Sequence, residues 1–259
     1  MGQAKSRRRK PPSDTTPPSS QEIQIWMDLT LLPQELLVLI LSWVPGPTLV
    51  TVGRLVCREW RDLIDGPVLW KLQGERDPSK REAFRAALEA AHHCPRMEWA
   101  RVGVLQPFGR NLSKSRRKLD LHPPCRLGVL DTSYLEDNPC WISYFIDLVK
   151  EGLWEDLLDA FQPDIFISDW WGTHEKCSCT YNLYVLLLAA DRSTVISRFD
   201  TKMDRAGEWN ISFQQPSHVF RKYGPGVRYL RFQHTCKRPE PQHMEAHLTN
   251  SSVLVKLSG

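Results

Sequence analysis

Trp170 and Trp171 stand side by side, and His174, Cys177 and Cys179 follow close behind. These residue types could do two kinds of chemistry. An indole face stacks on the C–H face of a sugar, and imidazole with thiolates binds zinc. Neighbouring strand residues face opposite sides of a sheet, so at most one of the two tryptophans is open to a ligand and both are expected in the core or at its rim. His174, Cys177 and Cys179 supply three ligands with no fourth in view, and His92, His93 and Cys94 point in different directions at a helix end, so no metal site is assigned. A glycine-rich phosphate loop, a His-Glu-x-x-His helix, a nucleophile elbow and a Cys-His pair with a supporting local signature are all missing from the sequence. The chain is therefore read as a binding protein with no catalytic residue and no cofactor.

Composition narrows the class of partner. The formal net charge is +4, but Lys5, Arg7, Arg8, Arg9 and Lys10 carry more positive charge than that, so the rest of the chain is slightly acidic. With no aromatic and basic interleaving beyond that tail, nucleic acid is excluded as the expected partner. No run approaches the roughly 18 apolar residues of a spanning helix. The N-terminus is basic and then rich in Pro, Ser and Thr, with no apolar signal region, so a cytosolic chain is expected. The seven cysteines are an odd, dispersed set and read as thiols. In that compartment the sequons at Asn111, Asn210 and Asn250 are incidental. Gly2, with Ser6 four residues on, fits the acyl-acceptor pattern for myristate, and Arg7 to Lys10 supplies the second, electrostatic attraction that stable membrane attachment needs.

Four segments are expected: a basic tail over 1–28, a helical module over 29–76, a linker helix over 77–96 and an all-β domain over 97–259. Pro33 suits the first position of a helix that continues over Gln34 to Val44 and is stopped by Pro45 and Pro47. Leu36, Leu37, Ile40, Leu41 and Val44 form its stripe, and Val38 and Leu39 make it apolar nearly all round. Such a helix must be covered on more than one side, and a module of about 40 residues is too small to do so alone. Asp77 and Pro78 open the next helix, with Ala83, Phe84, Ala87, Leu88 and Ala91 on one side. A short helix is expected over Asp147 to Asp159. Strands are expected over Ile165 to Ile167, Tyr181 to Leu188, Thr194 to Phe199, Glu208 to Phe213, Val227 to Phe232 and Ser252 to Leu257, punctuated by turn residues. The fold class is α+β, helices first and then an antiparallel sandwich.

Leu32, Pro33, Glu35, Leu36, Leu37, Ile40, Leu41, then Pro45, Leu49, Val56, Cys57, Arg58, Trp60, Arg61, Asp65 and Trp70 together resemble an F-box. The resemblance implies a three-helix module that docks on the Skp adaptor of an SCF complex and so on a cullin. Pro33, Leu36, Leu37, Ile40 and Leu41 would lie at that interface, and Trp60 and Trp70 would hold the helices together. Asp147, Leu148, Glu151, Gly152 and Trp154, then Asp169 to Gly172, Ser217, His218, Phe220, Tyr223 to Arg228 and Thr249 to Val253 resemble the F-box-associated domain, a galactose-binding-like jelly roll, with Pro107 to Leu112 as its entry. Family members of this type recruit N-glycosylated, misfolded proteins for ubiquitylation and degradation. The shorter stretch over Ser113 to Tyr144 predicts one or two strands absent or rebuilt. Glycan-binding relatives carry an aromatic pair and a lysine where this chain has Pro239, Glu240 and Pro241, and an acidic residue where it has Lys176. Tyr134 is the remaining candidate aromatic wall. The resemblance thus implies a non-catalytic adaptor whose substrate is a glycoprotein or a protein surface that has replaced one. The competing readings are a cytosolic glycan-binding, chaperone-like protein without ligase role and a degenerate paralogue that competes for the adaptor.

Overall fold

The computed structural model describes residues 29–92, 94, 96–115, 140–173, 179–205, 212–237 and 246–257. Six helices precede eight antiparallel strands among them. Helix α1 spans Gln34–Leu41, α2 Gly46–Thr51, α3 Arg58–Asp65 and α4 Pro67–Arg76. Pro33 stands just outside α1 with ψ 144°, one position earlier than expected, because its carbonyl must accept the amides of Leu36 and Leu37. The helix also ends earlier than Val44. Trp43 and Val44 bond back to Ile40 and Leu41 in a tightened i to i−3 turn, and the Ser42 hydroxyl donates to the Leu39 carbonyl. Pro47 does not stop α1 but lies in the first turn of α2, where its missing N–H costs nothing.

Trp70 is the pivot of the helical layer. It is fully buried, and its indole N–H donates to the Ile64 carbonyl at 2.6 Å. Helix α5, Pro78–Ala90, is not a free-standing linker. Its Phe84 lies on Gly74 of α4 and meets Trp99 with ring centroids 5.5 Å apart. Trp99 opens α6, Trp99–Leu105, an element the sequence reading missed. Gly103 lets α6 press onto the face of Trp70: a Cβ there would sit 2.1 Å from the ring. At the other side of α6, Arg101 donates to the Leu153 carbonyl and Leu105 lies against Gly152. Arg110 then closes the junction, reaching the carbonyls of Leu105, Gln106 and Glu151 and the Glu151 carboxylate at 2.7 Å.

The strands are β1 Cys140–Asp147, β2 Asp164–Thr173, β3 Cys179–Leu188, β4 Val195–Arg205, β5 Ser212–Gln214, β6 Ser217–Phe220, β7 Tyr229–Lys237 and β8 Ala246–Lys256. One sheet has the order β1-β7-β3-β4; in the other, β2 is flanked by β8 on one side and by β6 and β5 in succession on the other. Ile165, Ile167 and Trp171 of β2 with Val253 and Val255 of β8 face Tyr144, Ile146, Tyr181, Leu183, Val185, Leu187, Leu230 and Phe232 to form the core.

One reading is corrected here. The expected helix over Asp147 to Asp159 is the end of β1, a turn and then a π-helical turn over Leu157–Phe161. Tyr144 and Ile146 are buried while Ser143 and Phe145 are less so, and this alternation of period 2 outweighs the helix-like spacing of the leucines that follow. The stretch ending at Tyr144 thus contributes a strand, β1. Asn111, incidental as a sequon, has a structural role. It bridges to Leu254, donates to the Ser251 carbonyl and accepts from the Val253 amide at 2.9 Å, covering the open edge of β8.

Candidate functional site

The largest uncovered apolar surface among the described residues belongs to α1 and its neighbours. Leu36, Leu39, Ile40 and Trp43 fall at i, i+3, i+4 and i+7, one face of the helix, and all four are exposed, Trp43 at 73%. Leu31 extends this face before α1, and Val52, Leu55 and Val56 are further exposed apolar residues between α2 and α3. The opposite face of α1 turns Leu37, Val38 and Leu41 into the core, as α1 packs on α4. Of the five residues expected at the adaptor interface, Pro33, Leu36 and Ile40 are therefore open to a partner, whereas Leu37 (0% exposed) and Leu41 (1%) are not. Leu39 and Trp43 are exposed beside the open three. A helix that is apolar all round already implied two buried faces; only packing decides which leucine belongs to which. Arg76 reinforces the rim, its guanidinium 3.9 Å from the Trp43 ring centroid and hydrogen-bonded to the Ser42 carbonyl. Trp70 does hold the helices together, and Trp60 packs half-buried against the core with its indole N–H unpartnered.

Inside the sandwich lies a polar cluster that the sequence did not reveal. Asp169 is completely buried and accepts from the Tyr181 hydroxyl at 2.5 Å and the Ser251 hydroxyl at 2.8 Å, with His234 Nδ1 2.6 Å away. A bulge between Ser168 and Trp170 against β8 aligns Ser251 with the carboxylate. Trp171 is buried and stacks on Tyr181 at 5.0 Å, while Trp170 is half-buried. The tandem tryptophans are thus core and rim. The Ser251 hydroxyl bonds to Asp169 and not to the imidazole, so the four residues are a tie between β2, β3, β7 and β8 rather than a nucleophile with its base.

A second polar knot closes the end of the sandwich nearest the helices. Arg228 grips Asp159 through two 2.8 Å bonds, and the Gly226 amide adds a third. The Arg228 guanidinium and that amide hold the Asp159 carboxyl below its ordinary range despite partial burial. Burial raises the Tyr223 phenol above its ordinary value, and the nearby carboxylates of Asp159 and Asp164 add to the shift.

Strand register defines the opposite end. Thr173 is paired with Ala246 and Ser212, Cys179 with Arg205, Thr180 with Lys237, and Cys140 with Cys236. The residues flanking 116–139, 174–178, 206–211 and 238–245 are therefore gathered at one end, while α6 meets residues 151–153 at the other. Tyr134, Lys176, Pro239, Glu240 and Pro241, the candidate substrate residues, lie outside the described residues, as do Gly2, His174 and Cys177. Of the residues weighed as ligands, His92 is exposed and Cys94 buried, so those two do not converge. No group of three His, Cys, Asp or Glu side chains suited to a metal occurs among the described residues, and no helix among them is long and apolar enough to cross a membrane.

A helical module with one bare apolar face, followed by an antiparallel sandwich whose described strand ends gather at the far end, is the architecture of an F-box module joined to a β-sandwich domain. Residues 29–73 match the family model described as F-box-like, and residues 129–255 match the F-box associated region. The chain is 34% identical to F-box only protein 17 of Homo sapiens over 289 aligned residues, covering 99% of each. It is 35% identical to F-box only protein 27 of Mus musculus over 291 aligned residues, again covering 99% of each. Identity to F-box only protein 6 of Homo sapiens is 32%, over 86% of this chain and 83% of the relative. The chain belongs to the F-box only proteins that carry an F-box associated region.

Proposed function

We propose that this protein is a substrate-recruiting, non-catalytic subunit of an SCF-type ubiquitin ligase. The carrying observation is the bare face of α1: Leu36, Leu39 and Ile40, continued by Trp43 in the turn that follows, expose an apolar stripe on a helix whose other face is packed. A stripe of this kind is what an adaptor groove buries. Docking there places the adaptor at the helical end of the molecule and leaves the opposite end of the sandwich, with its convergent strand termini, for substrate. Such a subunit acts by raising the effective concentration of a substrate lysine near a charged conjugating enzyme, and so needs no active site of its own. The substrate is a glycoprotein or a protein surface presented to the segments that contain Tyr134, Lys176 and Pro239 to Pro241. A myristoyl group on Gly2, assisted by Arg7 to Lys10, holds the ligase at anionic membranes.

The primary test is copurification with the Skp adaptor and a cullin. Wild type retains both, and Leu36→Asp with Ile40→Asp loses both. Retention by that variant overturns the reading. The substrate class is tested by comparing binding of a high-mannose glycoprotein with its deglycosylated form; dependence on the glycan supports a glycoprotein substrate, and equal binding points to protein surface. Membrane attachment is tested by fractionation of Gly2→Ala, which is expected to become soluble.

A further inference from the structure

β4 stands last in the order β1-β7-β3-β4, so among the described residues one of its two edges has no strand beside it. It is 11 residues long, whereas proteins usually blunt such edges with short strands, bulges or proline. Against β3 its register runs without a shift from Ser197 to Arg205. Phe199 stacks on His218 of β6 with ring centroids 4.4 Å apart, and Met203 accepts from the Trp171 indole N–H, so this side of the strand packs toward the other sheet. Strand alternation turns Arg198, Asp200, Lys202 and Asp204 to the outside, where all are exposed. They form ion pairs along the strand, Arg198 with Asp200 at 3.8 Å and Lys202 with Asp204 at 3.1 Å.

The charges run plus, minus, plus, minus, an order that reads with every sign reversed from the other end. A strand guarded against edge pairing carries charge of one sign, most often lysine, and repels any second strand. This strand instead rejects neighbouring registers and accepts one. With Thr201 opposite Thr201 of a second copy, Arg198 faces Asp204 and Asp200 faces Lys202, and the two-fold axis repeats both pairs. A displacement by two residues in one direction sets Asp200 against Asp200 and Arg198 against Lys202. In the other direction it sets Lys202 against Lys202 and Asp200 against Asp204. In the accepted register Phe199 and Met203, both half-buried, oppose each other on the inner side, so an apolar flank closes together with the ion pairs.

We propose that the free edge of β4 is a homodimer interface, on which two copies of this chain join antiparallel about Thr201 so that one sheet continues through both sandwiches. Main-chain hydrogen bonds between the edges supply the attraction, and the charges fix the register. β4 begins opposite Leu188, whose carbonyl accepts the Arg228 amide at the helical end, and finishes at Arg205 opposite Cys179 at the far end. Antiparallel pairing therefore sets the far end of each sandwich on the same side as the helical end of the other copy. The dimer does not depend on the ligase reading. On that reading, each substrate end faces the same way as the adaptor held by the other copy.

Sedimentation of the full-length protein over a range of concentrations tests the interface. Wild type is expected to sediment as a dimer that dissociates on dilution. Asp200→Lys and Lys202→Asp each turn a symmetry-related set of opposite-charge pairs into like-charge pairs, and each is expected to raise the dimer dissociation constant on the order of tenfold or more. Mixing the two variants, or placing both substitutions in one chain, restores every opposite-charge pair and is expected to recover dimerisation, which a misfolded variant could not do. A wild type that stays monomeric at every concentration, single variants that dimerise as well as wild type, or a mixture and a double variant that both fail to recover, each overturns the proposal. The register is also read on wild type alone: carbodiimide coupling of mixed unlabelled and isotope-labelled chains is expected to join Lys202 to Asp200 between chains. Links between chains that lie elsewhere and spare β4 overturn it. Adaptor retention is expected to be equal for wild type and all variants, so failure of the dimer and failure of the ligase reading are told apart.

Discussion

The helical layer and the sandwich treat their surplus chemistry in opposite ways. In the helices the surplus is apolar, and it is left bare: Leu31, Leu36, Leu39, Ile40, Trp43, Val52, Leu55 and Val56 all lie open. In the sandwich the surplus is polar, and it is enclosed: the Tyr181 and Ser251 hydroxyls and His234 Nδ1 converge on Asp169 inside the core. Bare apolar area is favourable to bury and waits for a partner, whereas a buried carboxylate without partners would cost several kcal/mol. The difference marks the helical end as an assembly surface and the sandwich core as a self-sufficient scaffold.

The sharpest way to break this comparison is to place the same charge on the two faces of α1. Aspartates at Leu37 and Leu41, which are 0% and 1% exposed, enter the core. Two unpartnered carboxylates there exceed the roughly 5–15 kcal/mol that holds a domain together, and the helical layer is expected to unfold. Aspartates at Leu36 and Ile40, 48% and 42% exposed, should move stability by no more than about 0.5 kcal/mol per site. They should weaken adaptor binding on the order of 100-fold. Circular dichroism and calorimetry read the first outcome, and adaptor titration reads the second. Equal damage from the two pairs would remove the distinction between core face and docking face.

The enclosed side of the comparison is tested at Asp169. Asp169→Ala removes the acceptor of the Tyr181 and Ser251 hydroxyls and the partner of His234 Nδ1. At about 1–3 kcal/mol for each buried hydrogen bond lost, a loss of at least roughly 3 kcal/mol is expected in urea unfolding. A loss below about 1 kcal/mol would mean that the cluster does not tie the two sheets together. The junction between the regions is tested next. Gly103→Ala puts a methyl group 2.1 Å from the Trp70 ring, so α6 must lift from the helical layer. The expected cost is about 1–3 kcal/mol. Earlier proteolysis between α5 and the sandwich is expected to accompany it.

How much of this was legible in the sequence differs between the regions for a physical reason. The helical layer announces itself through local signals, with proline at helix starts and a stripe of leucines on α1, and its boundaries moved by only a few residues. The division of α1 into Leu37 and Leu41 inside and Leu36 and Ile40 outside was not legible, because periodicity separates faces without saying which one the rest of the chain covers. Strands β2, β3, β4, β7 and β8 were visible as β-branched and aromatic runs. Strand β6 was too short to announce itself, and β1 was masked by the leucines that follow it and by an unfamiliar preceding stretch. Asp169 belongs to a motif that was read, yet its role depends on residues 12, 65 and 82 positions away, which no local pattern encodes.

The smallest expected effect concerns the polar knot beside the helical end. Asp159 has its carboxyl held below the ordinary range by its hydrogen bonds to Arg228 first, opposed by burial, with the Gly226 amide adding a further lowering. A depressed carboxyl binds protons more readily in the unfolded chain than in the folded one. Its contribution is therefore complete above the unfolded value of about 3.9 and is lost as pH falls through the lower folded value. Wild type should lose part of its thermal stability below about pH 4 through this group. Asp159→Asn should be less stable than wild type at neutral pH, and the gap should narrow as the pH is lowered through that window. Because Asp159 is partly solvated, its side chain being 34% exposed, solvent screening keeps the effect at no more than about 1 kcal/mol. Unfolding midpoints of the two proteins measured from pH 7 downwards decide it. A gap that stays constant with pH would show that Asp159 acts as a neutral hydrogen-bond acceptor and would remove the charge from this end of the scaffold.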